Sequence, residues 1–359
     1  MGDLQIREIE PDLSGFKEGS EQALFIDDVG EPAGAADNGL RGEGTQIIKV
    51  NGTYYVVNIA WPSGGMRTVT VHRSKSLQGP WEGKVTLADE GVAQGCLVDT
   101  PDGKWYAMLF GDRGAVGRIP YLVPVTWEDG WPMMGVDGKV PVELDIPAGD
   151  QGQSGVSGIV ASDDFDREKG DPEWPLAWQF NHQPDDNWSL TERPGYYRIT
   201  TSRVDANVEQ AKNTLTQRTF GPTSYATTTL DASGMNVGDH AGLVVLMADY
   251  GYIAVEKTDA GRDIVMVRAE NRQPVEVARK PIDADVVHLK AECDFRDQTD
   301  KAMFSYSTDG ETWTRLGEPV QLRYDLRHFM GARFGLFNFA TTEPGGHADF
   351  GLFDIGPIE

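Results

Sequence analysis

The carboxylate whose surroundings point most directly to chemistry is Glu43. It lies between two glycines in the run RGEGTQIIKVNGTYYV and directly precedes an apolar segment that predicts a β-strand. A ligand can approach closely between residues without bulky side chains, and a carboxyl group in such a place suits general acid catalysis. The alternative is an exposed glutamate in a turn, which is the usual place of this residue type.

Arg118 has a similar setting in GAVGRIPYLVPVTW, where a glycine precedes it and a predicted strand follows. A half-buried guanidinium needs a partner, which is either a carboxylate of the protein or an oxygen of a ligand. Trp61 and Trp105 lie near these runs. Their rings either stack on sugar faces or pack in the core and in hairpins. The pattern leaves both alternatives open.

Other catalytic chemistries have no matching pattern. The six histidines are dispersed without HExxH spacing, and the sequence has no EF-hand loop, Walker loop or GxSxG elbow. No catalytic cofactor is expected. Asp163, Asp164 and Asp166 open the C-terminal region, and Asp349 and Asp354 close it. Because the first and last strands of a sandwich are often neighbours, a structural calcium ion is an expectation there, with solvated carboxylates as the alternative.

Composition excludes several partners. The 359 residues carry a net charge of -24, which repels phosphate backbones and anionic membranes. No apolar run approaches the roughly 18 residues of a membrane span. The two cysteines, Cys96 and Cys293, lie in apolar runs and are expected to be free, buried thiols. The polar run MGDLQIREIEPDLSG lacks the pattern of a signal peptide, so the expected location is the cytoplasm.

The elements that position these residues are predicted to be strands throughout. Short alternating apolar runs are bounded by Gly, Pro, Asn or Asp, as in all-β proteins. Residues 49–57 and 100–108 resemble each other, each with a turn glycine before two aromatic residues, and such repeated hairpins are typical of propeller blades or arise by coincidence. The Gly/Ser-rich residues 146–162 predict a linker between residues 1–145 and a β-sandwich over 163–359.

Longer runs carry a family resemblance. RGEGTQIIKVNGTYYV, RTVTVHRSKSLQGPWEG, VAQGCLVDTPDGKWYAMLF and GAVGRIPYLVPVTWEDGWP resemble the second half of the catalytic domain of glycoside hydrolase family 43. NHQPDDNWSLTERPGYYRITT, KNTLTQRTFGP, LRHFMGARFGLFNFAT and GGHADFGLFDI resemble the sandwich that follows it in the β-xylosidase and α-L-arabinofuranosidase branch. The resemblance implies a five-bladed β-propeller joined to a concanavalin-like β-sandwich. It also implies exo-acting, inverting hydrolysis of xylo- or arabino-oligosaccharides.

The resemblance also implies roles for particular residues. Glu43 matches the general acid of the family, and Arg118 matches the arginine of its VGR motif, near the sugar hydroxyls and the catalytic carboxylates. Gln94 stands where many relatives have a histidine near the propeller axis. Trp61 and Arg113, the latter replacing a histidine of close relatives, complete the predicted substrate-binding residues.

The family places its general-base aspartate and the aspartate that tunes the acid upstream of the acid. Asp27, Asp28 and Asp37 match neither motif. Residues 1–145 are therefore expected to be the C-terminal part of a propeller without its first blades and without the base. Three explanations are open: one half of a split enzyme with a complementary N-terminal half, a fragment, or a non-catalytic carbohydrate-binding or scaffolding sandwich with a vestigial propeller.

Overall fold

The computed structural model describes residues 3–20, 23–35, 39–146, 158–167, 174–325 and 330–358. The chain divides into two compact units, Met1–Asp112 with Arg118–Gly149, and Arg113–Gly117 with Asp150–Glu359. In these described ranges the regular elements are β-strands and three short 3-10 turns, Glu31–Ala33, Gly114–Val116 and Arg296–Gln298. No helix there is long and apolar enough to cross a membrane. The prediction of an all-β chain is confirmed.

Ten strands form three antiparallel sheets in the first unit. They are β1 (Leu4–Ile6), β2 (Ala23–Ile26), β3 (Leu40–Val50), β4 (Thr53–Trp61), β5 (Thr68–Ser74), β6 (Glu82–Leu87), β7 (Ala93–Asp99), β8 (Trp105–Asp112), β9 (Arg118–Glu128) and β10 (Trp131–Met134). Strands β1 and β2 pair with each other, and the four-stranded sheets have the orders β3-β4-β5-β6 and β10-β9-β8-β7. Two successive four-stranded meanders are the architecture of propeller blades, so this unit is a partial propeller.

The repeated hairpins occupy equivalent places in the two blades. One joins β3 to β4 and the other joins β7 to β8. Asn51 and Gly52 both have positive φ, 48° and 76°, as a two-residue hairpin turn requires. In the second blade the turn is longer, because Thr100 donates its N–H to the Lys104 carbonyl and Gly103 donates to Thr100. The repeat is structural, although the two turns differ in type.

The two blades pack face to face through alternate residues of their strands. Tyr55, Val57 and Ile59 of β4 share one buried cluster with Ala107 and Leu109 of β8. This is the period-two pattern of half-buried strands. Fully burying a side chain such as Ile59 contributes about 1.5–3 kcal/mol, so this interface is the main stabilising feature of the first unit.

The opposite face of the second blade is open. Val98 of β7 is 43% exposed and Met108 of β8 is 48% exposed. Cys96 pairs with Met108 in the register of these strands and is half-buried. The expectation of a buried thiol was therefore wrong for Cys96, which lies on this open face, and right for Cys293, which is fully buried.

Fifteen strands form the two sheets of the second unit. They are β11 (Gln179–Phe180), β12 (Trp188–Ser189), β13 (Tyr197–Thr200), β14 (Leu215–Arg218), β15 (Thr223–Asp231), β16 (Asp239–Leu246), β17 (Gly251–Thr258), β18 (Gly261–Glu270), β19 (Gln273–Ile282), β20 (Val286–Asp294), β21 (Lys301–Ser307), β22 (Thr314–Arg315), β23 (Val320–Gln321), β24 (Arg333–Ala340) and β25 (His347–Gly356). One sheet has the order β11-β14-β24-β16-β17-β18-β19, and the other has the order β12-β13-β25-β15-β20-β21-β22, with β23 paired to β21.

The core of the second unit lies between these sheets. Phe334 and Leu336 of β24 join Phe350 and Phe353 of β25 in one buried cluster, whereas Phe337, the neighbour on the other face of β24, belongs to a separate cluster. Strand β24 is buried along its whole length because apolar side chains cover both of its faces. The predicted β-sandwich is confirmed.

Candidate functional site

Glu43 lies near the start of β3, the first strand of its blade. The strand is irregular around it, with register shifts on both sides of the pair that Glu43 forms with Ile59. Bulges of this kind re-aim a side chain relative to a regular ladder. The Glu43 side chain is exposed.

The two glycines beside Glu43 serve close packing within the protein. A Cβ atom on Gly42 would lie 2.3 Å from Cγ2 of Val29, and one on Gly44 would lie 2.4 Å from Cγ of Gln94. Gly44 also has φ of +65°, which other residues rarely adopt. The space beside both glycines is thus filled by protein atoms, not held open for a ligand as the sequence suggested.

The second blade places Gln94 against Gly44, the residue that follows Glu43. It has a φ of 62° within β7, at a register shift between Ala93 and Gly95. A non-glycine residue in this conformation costs on the order of 1 kcal/mol or more. The Oε1 atom of Gln94 is buried and has no hydrogen-bond partner among the described residues. A strained backbone therefore presents a buried amide oxygen beside the Glu43–Gly44 segment.

Arg118 belongs to a cluster with a carboxylate and an aromatic ring. Its Nε atom lies 3.3 Å from Oδ1 of Asp112, and Nη2 of Arg67 lies 2.9 Å from Oδ2 of the same carboxylate. The Phe110 ring lies 4.6 Å from the Arg118 guanidinium and 5.3 Å from that of Arg67. Of the two alternatives left open for Arg118, the structure shows an ion pair.

Trp61 lies beside this cluster. Its ring centroid is 5.9 Å from the Arg67 guanidinium, and its Nε1–H donates to the Gly65 carbonyl at 2.9 Å, which holds the ring in place. The ring is 47% exposed, so one of its faces can receive an apolar sugar face. The two guanidinium groups are N–H donors of the kind that suits hydroxyl and oxyanion contacts.

Four of the five predicted residues therefore lie at the same end of their antiparallel sheets. Glu43 and Gln94 lie near the starts of the first strands β3 and β7, whereas Trp61 ends β4 and Arg118 begins β9. The Arg67–Asp112 ion pair joins the two blades at this end.

Arg113 is placed differently from these four residues. It lies in the turn Arg113–Gly117, which is grouped with the second unit, where Ala115 N–H donates to Asp300 at 2.9 Å. Asp37 lies outside the described residues.

Sequence reasoning missed Arg67 and Asp112. Arg67 follows the turn glycines Gly64 and Gly65 and precedes β5, which is the same setting that drew attention to Arg118. Arg67 could therefore have been selected from the sequence. Asp112 gave none, because its importance depends on which two guanidinium groups the fold brings to it.

His72 is a buried titratable group of the first blade. His72 of β5 is 4% exposed. Burial lowers the pKa of its imidazole to about 4, because the charged form loses its hydration. A histidine that is neutral at pH 7 cannot donate a proton as an imidazolium there.

The aspartates considered for calcium are held by protein donors. Asp163 accepts from Nη2 of Arg167 at 2.6 Å and from Nε1 of Trp178 at 2.9 Å. Asp349 accepts from two arginines. Among the described residues, no three His, Cys, Asp or Glu side chains converge as metal ligands do. The calcium ion stays a prediction that these contacts do not support.

Two protein-family models match the chain, one over most of each unit. Residues 162–356 match the model of the "Beta xylosidase C-terminal Concanavalin A-like domain", and residues 4–132 match the model of "Glycosyl hydrolases family 43". A solved structure described as a bifunctional GH43-CE protein of Bacteroides eggerthii is 51% identical with a TM-score of 0.94, covering 100% of this chain and 46% of that chain.

Curated relatives are more distant in sequence. A "Beta-xylosidase" of Formosa agariphila is 27% identical over 372 residues, covering 88% of this chain and 59% of the relative. A non-reducing end alpha-L-arabinofuranosidase of Bacteroides ovatus is 27% identical over 273 residues, covering 69% of this chain and 49% of the relative. The chain thus spans between about half and three fifths of the length of these relatives.

Proposed function

The chain belongs to glycoside hydrolase family 43, and on that premise we propose that it forms part of an exo-acting, inverting glycosidase for β-xylosides or α-L-arabinofuranosides. The observation that carries the proposal is the position of Glu43, near the start of its blade's first strand. Trp61 and Arg118 lie at the corresponding end of their strands, which gives a proton donor, an aromatic surface and a cation for one sugar.

Glu43 would act as the general acid. Its carboxyl group donates a proton to the glycosidic oxygen while the bond from that oxygen to the anomeric carbon breaks. A water molecule attacks from the opposite face of the sugar and gives its proton to a second carboxylate, which inverts the configuration. In inverting enzymes these two carboxyl groups stand about 6.5–9.5 Å apart, which leaves room for the water.

Arg118, Trp61 and Gln94 would hold the sugar for this step. Trp61 is 47% exposed, and the guanidinium group of Arg118, oriented by its ion pair with Asp112, is of the type that binds hydroxyls. Gln94 is proposed as a substrate contact on the family resemblance, because its Oε1 atom is enclosed by protein atoms. Arg113 is proposed as a substrate contact on the family resemblance alone.

We propose that the second carboxylate comes from a complementary N-terminal part of the propeller. Asp28, one of the upstream aspartates, is engaged locally: its Oδ1 accepts from Gly30 N–H at 3.2 Å, and its Oδ2 lies 3.6 Å from Arg41. The open apolar face around Val98 and Met108 suits a further blade, because uncovered sheet faces of this kind are normally buried in a propeller.

The test of Glu43 is complementation. The chain is coexpressed with the N-terminal blades of a family member, and hydrolysis of xylobiose, nitrophenyl β-xyloside and nitrophenyl α-L-arabinofuranoside is measured. Glu43→Gln is expected to lower turnover of xylobiose by about 10²–10⁴, the usual contribution of general acid catalysis. The nitrophenyl substrates should be less affected, because their leaving groups need less protonation.

Glu128→Gln is the matched control. Glu128 is an exposed glutamate at the last position of β9, the strand that Arg118 begins. Turnover by this variant should equal that of the wild type. If Glu43→Gln hydrolysed xylobiose as fast as this control, Glu43 would not be the acid.

The test of the open face uses Met108→Asp. A charge on the 48% exposed Met108 would be buried without a partner when a further blade docks, which costs several kcal/mol. We expect complementation to be lost while the thermal unfolding of the uncomplemented chain is unchanged. Full activity of Met108→Asp would refute docking there. If the complemented wild type bound xylo-oligosaccharides without cleaving them, a carbohydrate-binding protein would be the better description.

A further inference from the structure

A pocket of about 540 Å³ on the second unit is lined by an unusual concentration of basic groups. Its lining includes His182, Arg203, Lys212 and Arg272, with Glu209 as the carboxylate among the lining residues. The lining holds three permanent cations, two of which pair with Asp205 and Glu209, in a chain that as a whole carries -24. We propose that this pocket binds a carboxylated sugar of the uronic acid class.

Two of the cations are partly committed to protein carboxylates. Nε of Arg203 lies 2.8 Å from Oδ1 of Asp205, and Nη2 of Arg272 lies 3.2 Å from Oε1 of Glu209. These pairs hold the guanidinium groups at the pocket wall. Each guanidinium has five N–H donors, so one ion pair leaves further donors for a ligand.

Lys212 is the cation whose charge is best placed for a ligand. Its ammonium group donates to the backbone carbonyl of Gln183 at 2.8 Å, and a carbonyl is a neutral acceptor. The contact orients the ammonium group, whose charge also acts on the nearby Asp205 carboxylate. A ligand carboxylate at this position would gain a charge-assisted hydrogen bond, which is about twice as strong as a neutral one.

The other lining groups suit sugar hydroxyls. Nε2 of His182 lies 2.5 Å from the Glu209 carbonyl oxygen and donates to it, which leaves Nδ1 as the second polar atom of the ring. Oε1 of Gln210 accepts from the Ala206 N–H at 3.2 Å, which leaves the amide NH₂ group as a donor.

Together these groups select both parts of the ligand. A neutral sugar would leave the Lys212 charge unused, and a simple anion would leave the imidazole and the amide groups unused. A uronate has a carboxylate that can pair with Lys212 and hydroxyls that can bind the imidazole and the amide groups. The pocket lies within the second unit, and the inference does not depend on the proposed hydrolysis.

The experiment titrates the 359-residue chain with glucuronate, glucose, acetate and inorganic phosphate, by calorimetry and by saturation-transfer NMR. Glucuronate is expected to bind more tightly than the other three compounds, with an affinity that falls as salt is added because exposed charges are screened. Lys212→Gln should weaken glucuronate binding about tenfold, in keeping with the loss of one charge-assisted contact. The control is Lys280→Gln, which removes an exposed lysine of β19 and should bind like the wild type.

Every other outcome counts against the proposal. Absence of glucuronate binding overturns it, as does equal binding by Lys212→Gln and the wild type. Acetate or phosphate binding as tightly as glucuronate would show a general anion site, and glucose doing so would show a neutral sugar site. Should Lys212→Gln unfold, Arg272→Gln replaces it with the same expectation, because its partner Glu209 lies at the surface of the pocket.

Discussion

A carboxyl group in the interior of the sandwich should make the stability of the chain depend on pH. Asp239, the first residue of β16, is fully buried. Its Oδ2 accepts from Asn236 N–H at 2.7 Å, and its Oδ1 has no hydrogen-bond partner among the described residues. Burial disfavours the charged form and raises the pKa of Asp239 to about 6.

The size and sign of the effect follow from linkage. Between pH 3.8 and about 6, the folded state holds the Asp239 proton more tightly than the unfolded state, whose pKa is near the ordinary 3.8. The contribution of Asp239 to stability is therefore fully present below pH 3.8, is lost as pH rises through this window and is constant above it. At 1.36 kcal/mol for each pKa unit, the loss by pH 8 is about 3 kcal/mol.

The perturbation is Asp239→Asn, which cannot titrate. The buried amide N–H donors of the variant lower its free energy of unfolding by about 1 kcal/mol, and this effect does not vary with pH. In the wild type, about 0.5 kcal/mol of the loss from Asp239 has already occurred at pH 4. The difference in Tm between variant and wild type should therefore move in favour of the variant by about 5–10 °C between pH 4 and pH 8, since 1 kcal/mol corresponds to about 2–4 °C in a domain of this size.

The assay is calorimetric unfolding of the full chain at half-unit steps of pH. Asp259→Asn is the control, because Asp259 is an exposed residue in the turn between β17 and β18, and its Tm difference should stay flat. A Tm difference for Asp239→Asn that does not vary with pH would refute the reasoning.

Two further substitutions test other contacts. Asp349→Ala should lower the free energy of unfolding by about 3–5 kcal/mol in urea titrations, because Asp349 is 3% exposed and two arginines would each lose one of their two carboxylate partners. An effect under about 1 kcal/mol would contradict this. Gly44→Ala should destabilise by about 1–3 kcal/mol and lower complemented activity, because its Cβ would meet Gln94 at 2.4 Å. Gly52→Ala has a similar positive φ and open space, so it should share the strain and keep the activity.

About half of the strands in the described ranges could be predicted from alternating or short apolar runs. The predicted apolar runs correspond to β3, β4, β5, β8 and β9 of the blades and to β13, β15, β16, β18, β20, β21, β24 and β25 of the sandwich. Strands β6 and β10, at the outer ends of the blades, were not predicted. Strand β19, at the edge of its sheet, was also missed, because its side chains are largely exposed and its sequence shows no buried face.

The candidate site was predictable in residue identity but not in contacts. Glu43 and Arg118 could be selected because each follows a glycine and lies at a strand, and the family resemblance added Gln94. Their partners could not be predicted, because the Arg67–Asp112 ion pair joins residues on two different blades. The role of the glycines was misread for the same reason: what fills the space beside them comes from distant parts of the chain.

The turn between β8 and β9 has a consequence for gene fusion. Ala115 of this turn is part of the main hydrophobic cluster of the second unit, and it bonds through its N–H to Asp300 and through its carbonyl to Ala332. A sandwich excised at the predicted linker and grafted onto another protein would leave behind five residues of its own compact unit. The second unit therefore consists of two separate stretches of the chain, one of which lies within the sequence of the first unit. Recombination at the linker alone would transfer an incomplete unit.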